Sequence, residues 1–198
     1  MDIVEVPGLG PVSISVARPS ALLLGPASHH ARKAAQLKAA AMKQTGRTRW
    51  KVDGHGLQFT NEALVFDFFE HAMAAVVLLH TALDNLLNEM LPVDFKYTSE
   101  KGEEWDRERI ERSIGLERRL TEVAAAATGL PDIRTGRPDL FAFAMSLKAL
   151  RDDLGHAKRD RGYSGPSLTR TIFSDLFAAD FEALTNVPAE VGAYYGLR

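Results

Sequence analysis

Arg151 and His156, near the end of an apolar run, are the residue types that phosphodiester chemistry needs. An Arg stays charged at every relevant pH and grips a phosphate with two parallel donors. A His gives or takes a proton near neutrality. The pair therefore has the two properties required to cut a phosphodiester without a metal ion. Its spacing has consequences: five positions of advance on an ideal helix turn the side chain by about 140°. Gly155 lies between the two and offers a point for the helix to loosen or end. Asp152 stands four before His156 and shares its face, placed to accept from one ring nitrogen and fix the tautomer. The competing reading is a helix C-terminus whose basic residues answer the helix dipole.

The run 140–158 must position this pair. Leu140, Phe143, Ala144, Leu147, Leu150 and Leu154 recur at spacings of three and four, which predicts one buried helix face. Charge takes over within a turn, with Arg151, Asp152, Asp153, His156, Lys158, Arg159 and Arg161. The longest helical pattern, 61–91, is the neighbour expected to pack on it, with Asn61 as cap and Pro92 as stop. Phe68, Phe69, Ala72, Met73, Val76, Leu79, Leu83, Leu86 and Leu87 make it apolar around well over half its circumference. Such a helix is central, or a partner covers its second face. Asp84 and Asn88 interrupt it, four apart on one face. Buried polar groups need partners, so the functional reading has Asp84 or Asn88 reaching Arg151. In the bland reading that stripe faces water.

A length of 198 residues with 45% apolar content bounds the chain to one good-sized domain with a real core. The net charge of −2 gives no global sign of a nucleic-acid binder, so any basic surface must be local. Cysteine is absent, which excludes disulfides, thiolate metal sites and a Cys nucleophile, and suits a reducing cytoplasm. The first residues include Asp2 and Glu5 and show no signal pattern; the most apolar run, 72–79, is too short to span a bilayer. No membrane association, metal or cofactor is expected. His29 and His30 are adjacent, about 100° apart on a helix, and read as exposed rather than as a metal pair.

Taken in order, residues 1–60 form an N-terminal part: two short strands around Pro7–Pro11, a helix over 28–45 capped by Ser28, and a small hairpin at 47–60 turning on Asp53-Gly54. Arg49 and His55 repeat the Arg-then-His pattern on that turn, a match that chance supplies. Residues 61–198 form the main helical part. One helix over 105–128 should turn Ile110, Ile114, Leu120 and Val123 inward, its Glu and Arg residues mainly forming a solvated face. A loop over 129–139 leads to Pro138 and Asp139, which open the next helix. A last helix over 174–194 should break near Pro188 and pack through Phe177, Phe181, Leu184 and Val191. The expected fold is mainly α: an up-and-down bundle of four to five helices with a short N-terminal β-hairpin arm.

Two segments, HTALDNLLNEMLP (80–92) and LKALRDDLGHAK (147–158), resemble in order, type and separation the HEPN superfamily of small helical bundles. The hallmark there is Arg-x₄₋₆-His late in the bundle with a polar residue directly after the Arg, matched here by Arg151, Asp152 and His156. Asn is the commonest residue at that polar position, and Asp152 makes this copy less basic. Asp84 and Asn88 match an earlier helix of the pattern. The resemblance covers roughly 61–185. It implies metal-independent RNA cleavage: His156 moves a proton at the ribose 2′-OH or the leaving oxygen, and Arg151 holds the scissile phosphate. It implies a homodimer whose two motifs line one cleft, with Lys158, Arg159 and Arg161 on phosphates and Tyr163 stacking on a base. It also implies a toxin–antitoxin or antiviral setting, with an antitoxin or other protein partner. The rival is a catalytically inactive HEPN-like module that binds a protein or nucleotide partner; such a module would bury Arg151 against Asp84, whereas an enzyme would leave Arg151 and His156 open to a cleft. An unrelated helical adaptor is the third reading.

Overall fold

The longest apolar pattern becomes the organising helix. A computed structural model describes residues 2–6, 10–14, 18–44, 62–99, 101–156 and 167–197, with side chains for 18–43, 62–99, 101–155 and 172–197. The described chain is mostly helical. Helix α2, Glu62–Glu89, buries Phe68, Ala72, Ala75, Val76, Leu79, Leu83, Leu86 and Leu87, which recur at steps of one, three and four. By length and composition it is also apolar enough to cross a membrane. Here its buried face packs against other helices of the chain.

Helix α1, Pro19–Gln44, starts nine residues before the expected Ser28 and carries Pro26 inside it. Proline suits the first position of a helix, and packing overrides the interior one. Ala27, Ala31, Ala34 and Ala41 are fully buried or nearly so. Their spacings of four, three and seven make one smooth stripe that lets the backbones approach closely. Ser20 donates from its backbone N and its hydroxyl to Glu89 at 2.9 and 2.6 Å, while His30 meets His71 farther along. Advancing α1 thus pairs with receding α2, and the two helices run antiparallel.

The expected N-terminal arm is present as β1, Asp2–Val6, antiparallel to β2, Gly10–Ile14. The hairpin expected at 47–60 lies outside the described residues. Two-residue strands β3, Tyr97–Thr98, and β4, Glu104–Trp105, pair across the connection after α2. A second, smaller core of Leu91, Tyr97, Ile110, Ile114 and Val123 lies beneath them.

The single helix expected over 105–128 is instead interrupted. Helix α3, Arg107–Ser113, is capped by Asp106, which accepts from the Arg109 backbone at 2.8 Å. Ile114 and Gly115 are extended, and the chain restarts as α4, Leu116–Arg118. A π-helical turn, Arg119–Val123, follows and passes into α5, Ala124–Thr128. A β-branched residue beside a glycine is a weak point for a helix, and here the chain turns. The four positions expected inward, Ile110, Ile114, Leu120 and Val123, are all buried. Tyr195 holds the π turn by donating its hydroxyl to the Leu120 carbonyl.

A one-turn helix, α6, Ile133–Gly136, interrupts the expected loop. Helix α7, Pro138–His156, opens on the expected proline. Leu140, Ala144, Leu147 and Leu150 are buried as expected, but Phe143 is 40% exposed and lines a cleft beside Asp175 and Leu184. The last segment is two helices, α8, Ser167–Ala178, and α9, Phe181–Tyr194. The break falls before Asp180, not at Pro188. The Asp180 carboxylate accepts from the Glu182 and Ala183 backbones at 3.1 and 3.0 Å and so starts α9. Lys38 donates to the Ala179 carbonyl at 3.0 Å across the same gap. Pro188 is buried within a continuous α9. Phe177 stacks on Phe68 at 4.2 Å and Phe173 on Phe69 at the same separation, which docks α8 on α2.

Candidate functional site

Asp84 and Asn88 are partly buried and do reach an arginine on a neighbouring segment. That arginine is Arg119, not Arg151. Its Nη1 donates to Asn88 Oδ1 at 2.7 Å and its Nη2 to Asp84 Oδ1. The Arg119 side chain is 7% exposed, and its Nε is buried with no hydrogen-bond partner among the described residues. Backbone geometry explains the placement. Leu116, Arg119, Leu120 and Val123 are spaced three, one and three, so Arg119 occupies the inward stripe of its segment. That spacing was the available signal; reading the charged run as a solvated face passed over it.

Arg151 takes the opposite position. It is exposed on α7 and its Nη1 donates to Asp152 Oδ1 at 3.0 Å. Lys148, one turn earlier, donates to Asp152 Oδ2 at 2.6 Å. Partial burial opposes charge on Asp152, but the bonds from Lys148 and Arg151 outweigh it and hold the carboxyl below its usual range. Asp152 was expected to orient His156, whose side chain is not among those described; among the described residues Asp152 is held by these two cations.

Helix α7 runs through Gly155 to His156 without loosening. The His156 side chain lies outside the described residues, as do Lys158, Arg159, Arg161 and Tyr163.

The two arginines line one open cleft of about 460 Å³ between α2, the Gly115–Arg119 region and α7. Three cations, Arg119, Lys148 and Arg151, face two carboxylates, Asp84 and Asp152, which leaves one positive charge in excess. His80 completes the polar wall and was not among the expected site residues. Its signal was modest: it precedes Asp84 by four on the same face. Half-burial and the nearby Arg151 charge lower its pKa, Asp84 and Asp152 oppose that, and Arg119 adds to it.

Elsewhere, His30 is not simply exposed. It is half-exposed, its Nδ1 lies 2.8 Å from Nδ1 of His71, and His29 is exposed beside it. Among the described residues no group of three or more His, Asp or Glu is placed to hold a metal ion. No family model, curated protein or solved structure matches this chain.

Proposed function

We propose that this protein is a metal-independent endoribonuclease of HEPN type, built as an up-and-down helical bundle with an N-terminal hairpin arm. The observation that carries the reading is the position of Arg151. It stands exposed at the cleft and is not buried against Asp84, which engages Arg119 instead. An enzyme needs Arg151 open in this way, and a module with a structural Arg151 would lack it. Arg151 grips the scissile phosphate and its growing negative charge, and His156 moves a proton at the reacting oxygens. Lys148 raises the local potential, and Lys158, Arg159, Arg161 and Tyr163 extend the RNA contacts beyond it.

A homodimer fits the same face. Phe66, Met73 and Val77 lie exposed along α2, and Val77 lines the cleft. Pairing two copies over this stripe would cover apolar surface and bring two motifs together. The proposed setting is a cytoplasmic toxin or antiviral component, with an antitoxin or other protein partner. The second reading, an inactive HEPN-like module binding a protein or nucleotide, is favoured by one feature: Arg151 is already ion-paired with Asp152.

The test is cleavage of single-stranded RNA in EDTA by wild type and His156→Ala prepared side by side. The expected outcome is a 2′,3′-cyclic phosphate product and a loss of about 10²–10⁴-fold in turnover for the variant, with RNA binding largely kept. Equal cleavage by both would exclude His156, and no cleavage of varied RNAs by either would leave the binding-module reading.

A further inference from the structure

Among the polar side chains of the cleft, Arg119 and Asp84 hold each other, and Lys148, Asp152 and Arg151 form a second linked set. His80 belongs to neither. It lines the same cleft, it is half-buried, and among the described residues no hydrogen bond occupies its ring.

Internal cleavage of RNA moves two protons. One leaves the ribose 2′-OH as it attacks phosphorus, and one joins the departing 5′ oxygen. A single His serves both only in succession; two groups serve them in one step. His80 on α2 lines the same cleft as Arg151 on α7, and so places a second proton carrier at a phosphate gripped there.

We propose that His80 is a second catalytic residue of this cleft, taking the proton from the 2′-OH of RNA held by Arg151 while His156 protonates the leaving 5′ oxygen. The inference rests on the ribonuclease reading above. In the step, the 2′ oxygen–phosphorus bond forms and the phosphorus–5′ oxygen bond breaks. His80 gains the proton of the 2′-OH, and His156 loses one to the new 5′-hydroxyl. The products are a 2′,3′-cyclic phosphate and a 5′-hydroxyl end, with nothing oxidised or reduced. The surroundings suit a base. Half-burial favours the uncharged ring, Arg151 and Arg119 act the same way, and Asp84 and Asp152 only partly oppose them. Lys148, the remaining charged group lining the cleft, carries the same sign as the two arginines. The π-helical turn adds a structural hint, because such turns occur often at functional sites and this one begins at Arg119.

The experiment measures cleavage of single-stranded RNA in EDTA from about pH 5 to pH 9 with wild type, His80→Gln and His156→Ala. Wild type should give a bell-shaped profile. His80→Gln should lower kcat by about 10²–10⁴-fold, leave KM within about twofold, and lose the acidic limb of the bell. A purely structural role would scale the bell without changing its shape, and that result overturns the proposal. If His156→Ala abolishes cleavage while His80→Gln matches wild type, this inference falls and the ribonuclease reading stands. If wild type cleaves no RNA, the ribonuclease reading falls and takes the role of His80 with it. A second measurement avoids variants: the His80 ring resonance in wild type should shift on adding a 2′-deoxy analogue of the RNA, which binds but cannot react. An unmoved resonance also overturns the proposal.

Discussion

Arg119 and Arg151 line one cleft, yet their surroundings give them different work. Arg119 rises from an inward stripe, is almost fully buried, and donates to Asn88 and Asp84 on α2. Arg151 is exposed at the polar end of α7, and among the described residues it pairs only with its own sequence neighbour. A buried arginine with fixed acceptors ties two segments together, and its removal strands a carboxylate. An exposed arginine beside an adjacent aspartate gains little stability from the pair but remains free to swing onto a phosphate. Residue type alone does not separate the two; the neighbours at i−3, i+1 and i+4 do.

Substitutions sharpen that contrast. The largest stability effect is expected from Arg119→Ala, which removes the buried guanidinium that holds Asp84 and Asn88. Urea unfolding should show a loss of about 3 kcal/mol. A loss below about 0.5 kcal/mol would mean that the buried pair is not what holds this segment to α2.

Acid should act next, through histidines rather than arginines. His80 and His30 both have pKa values lowered from the ordinary imidazole value, His80 by burial and then Arg151, His30 by burial and then His71 and His29, with Glu70 opposing. The unfolded chain therefore takes up these protons first. Their contribution to stability is complete above the unfolded value of about 6.5 and is lost as pH falls through the folded values. The urea midpoint should drop between about pH 7.5 and pH 5.5, and the double variant His30→Gln/His80→Gln should flatten the drop. An equally steep drop in the double variant would place the titrating groups elsewhere.

Much of this architecture was legible in the sequence, and the exceptions share a physical cause. The start of α7 followed from Pro138, the strand pair at the N-terminus from its turn, and the inward positions Ile110, Ile114, Leu120 and Val123 from helical spacing. Local rules failed where tertiary contacts decide. Pro26 and Pro188 sit inside helices because both helices are held against others by buried stripes. The break at Asp180 is set by its cap and by Lys38 arriving from α1. The His30–His71 contact joins residues far apart in the chain, which no pattern within one helix reveals. In the site, the association of Asp84 and Asn88 with an arginine was readable from their shared face. Which arginine was missed, because the charged run was read as a solvated face although the spacing of Leu116, Arg119, Leu120 and Val123 puts Arg119 on the inward stripe.

The central claim is that Arg151 is the functional arginine of this cleft, and Arg151→Ala tests it most directly. The variant should unfold within about 0.5 kcal/mol of wild type, since only an exposed pair is lost. In EDTA its cleavage of single-stranded RNA should fall about 10²–10³-fold, with weaker binding, and Arg151→Lys should restore it only in part. Cleavage by folded Arg151→Ala at the wild-type rate would contradict the account.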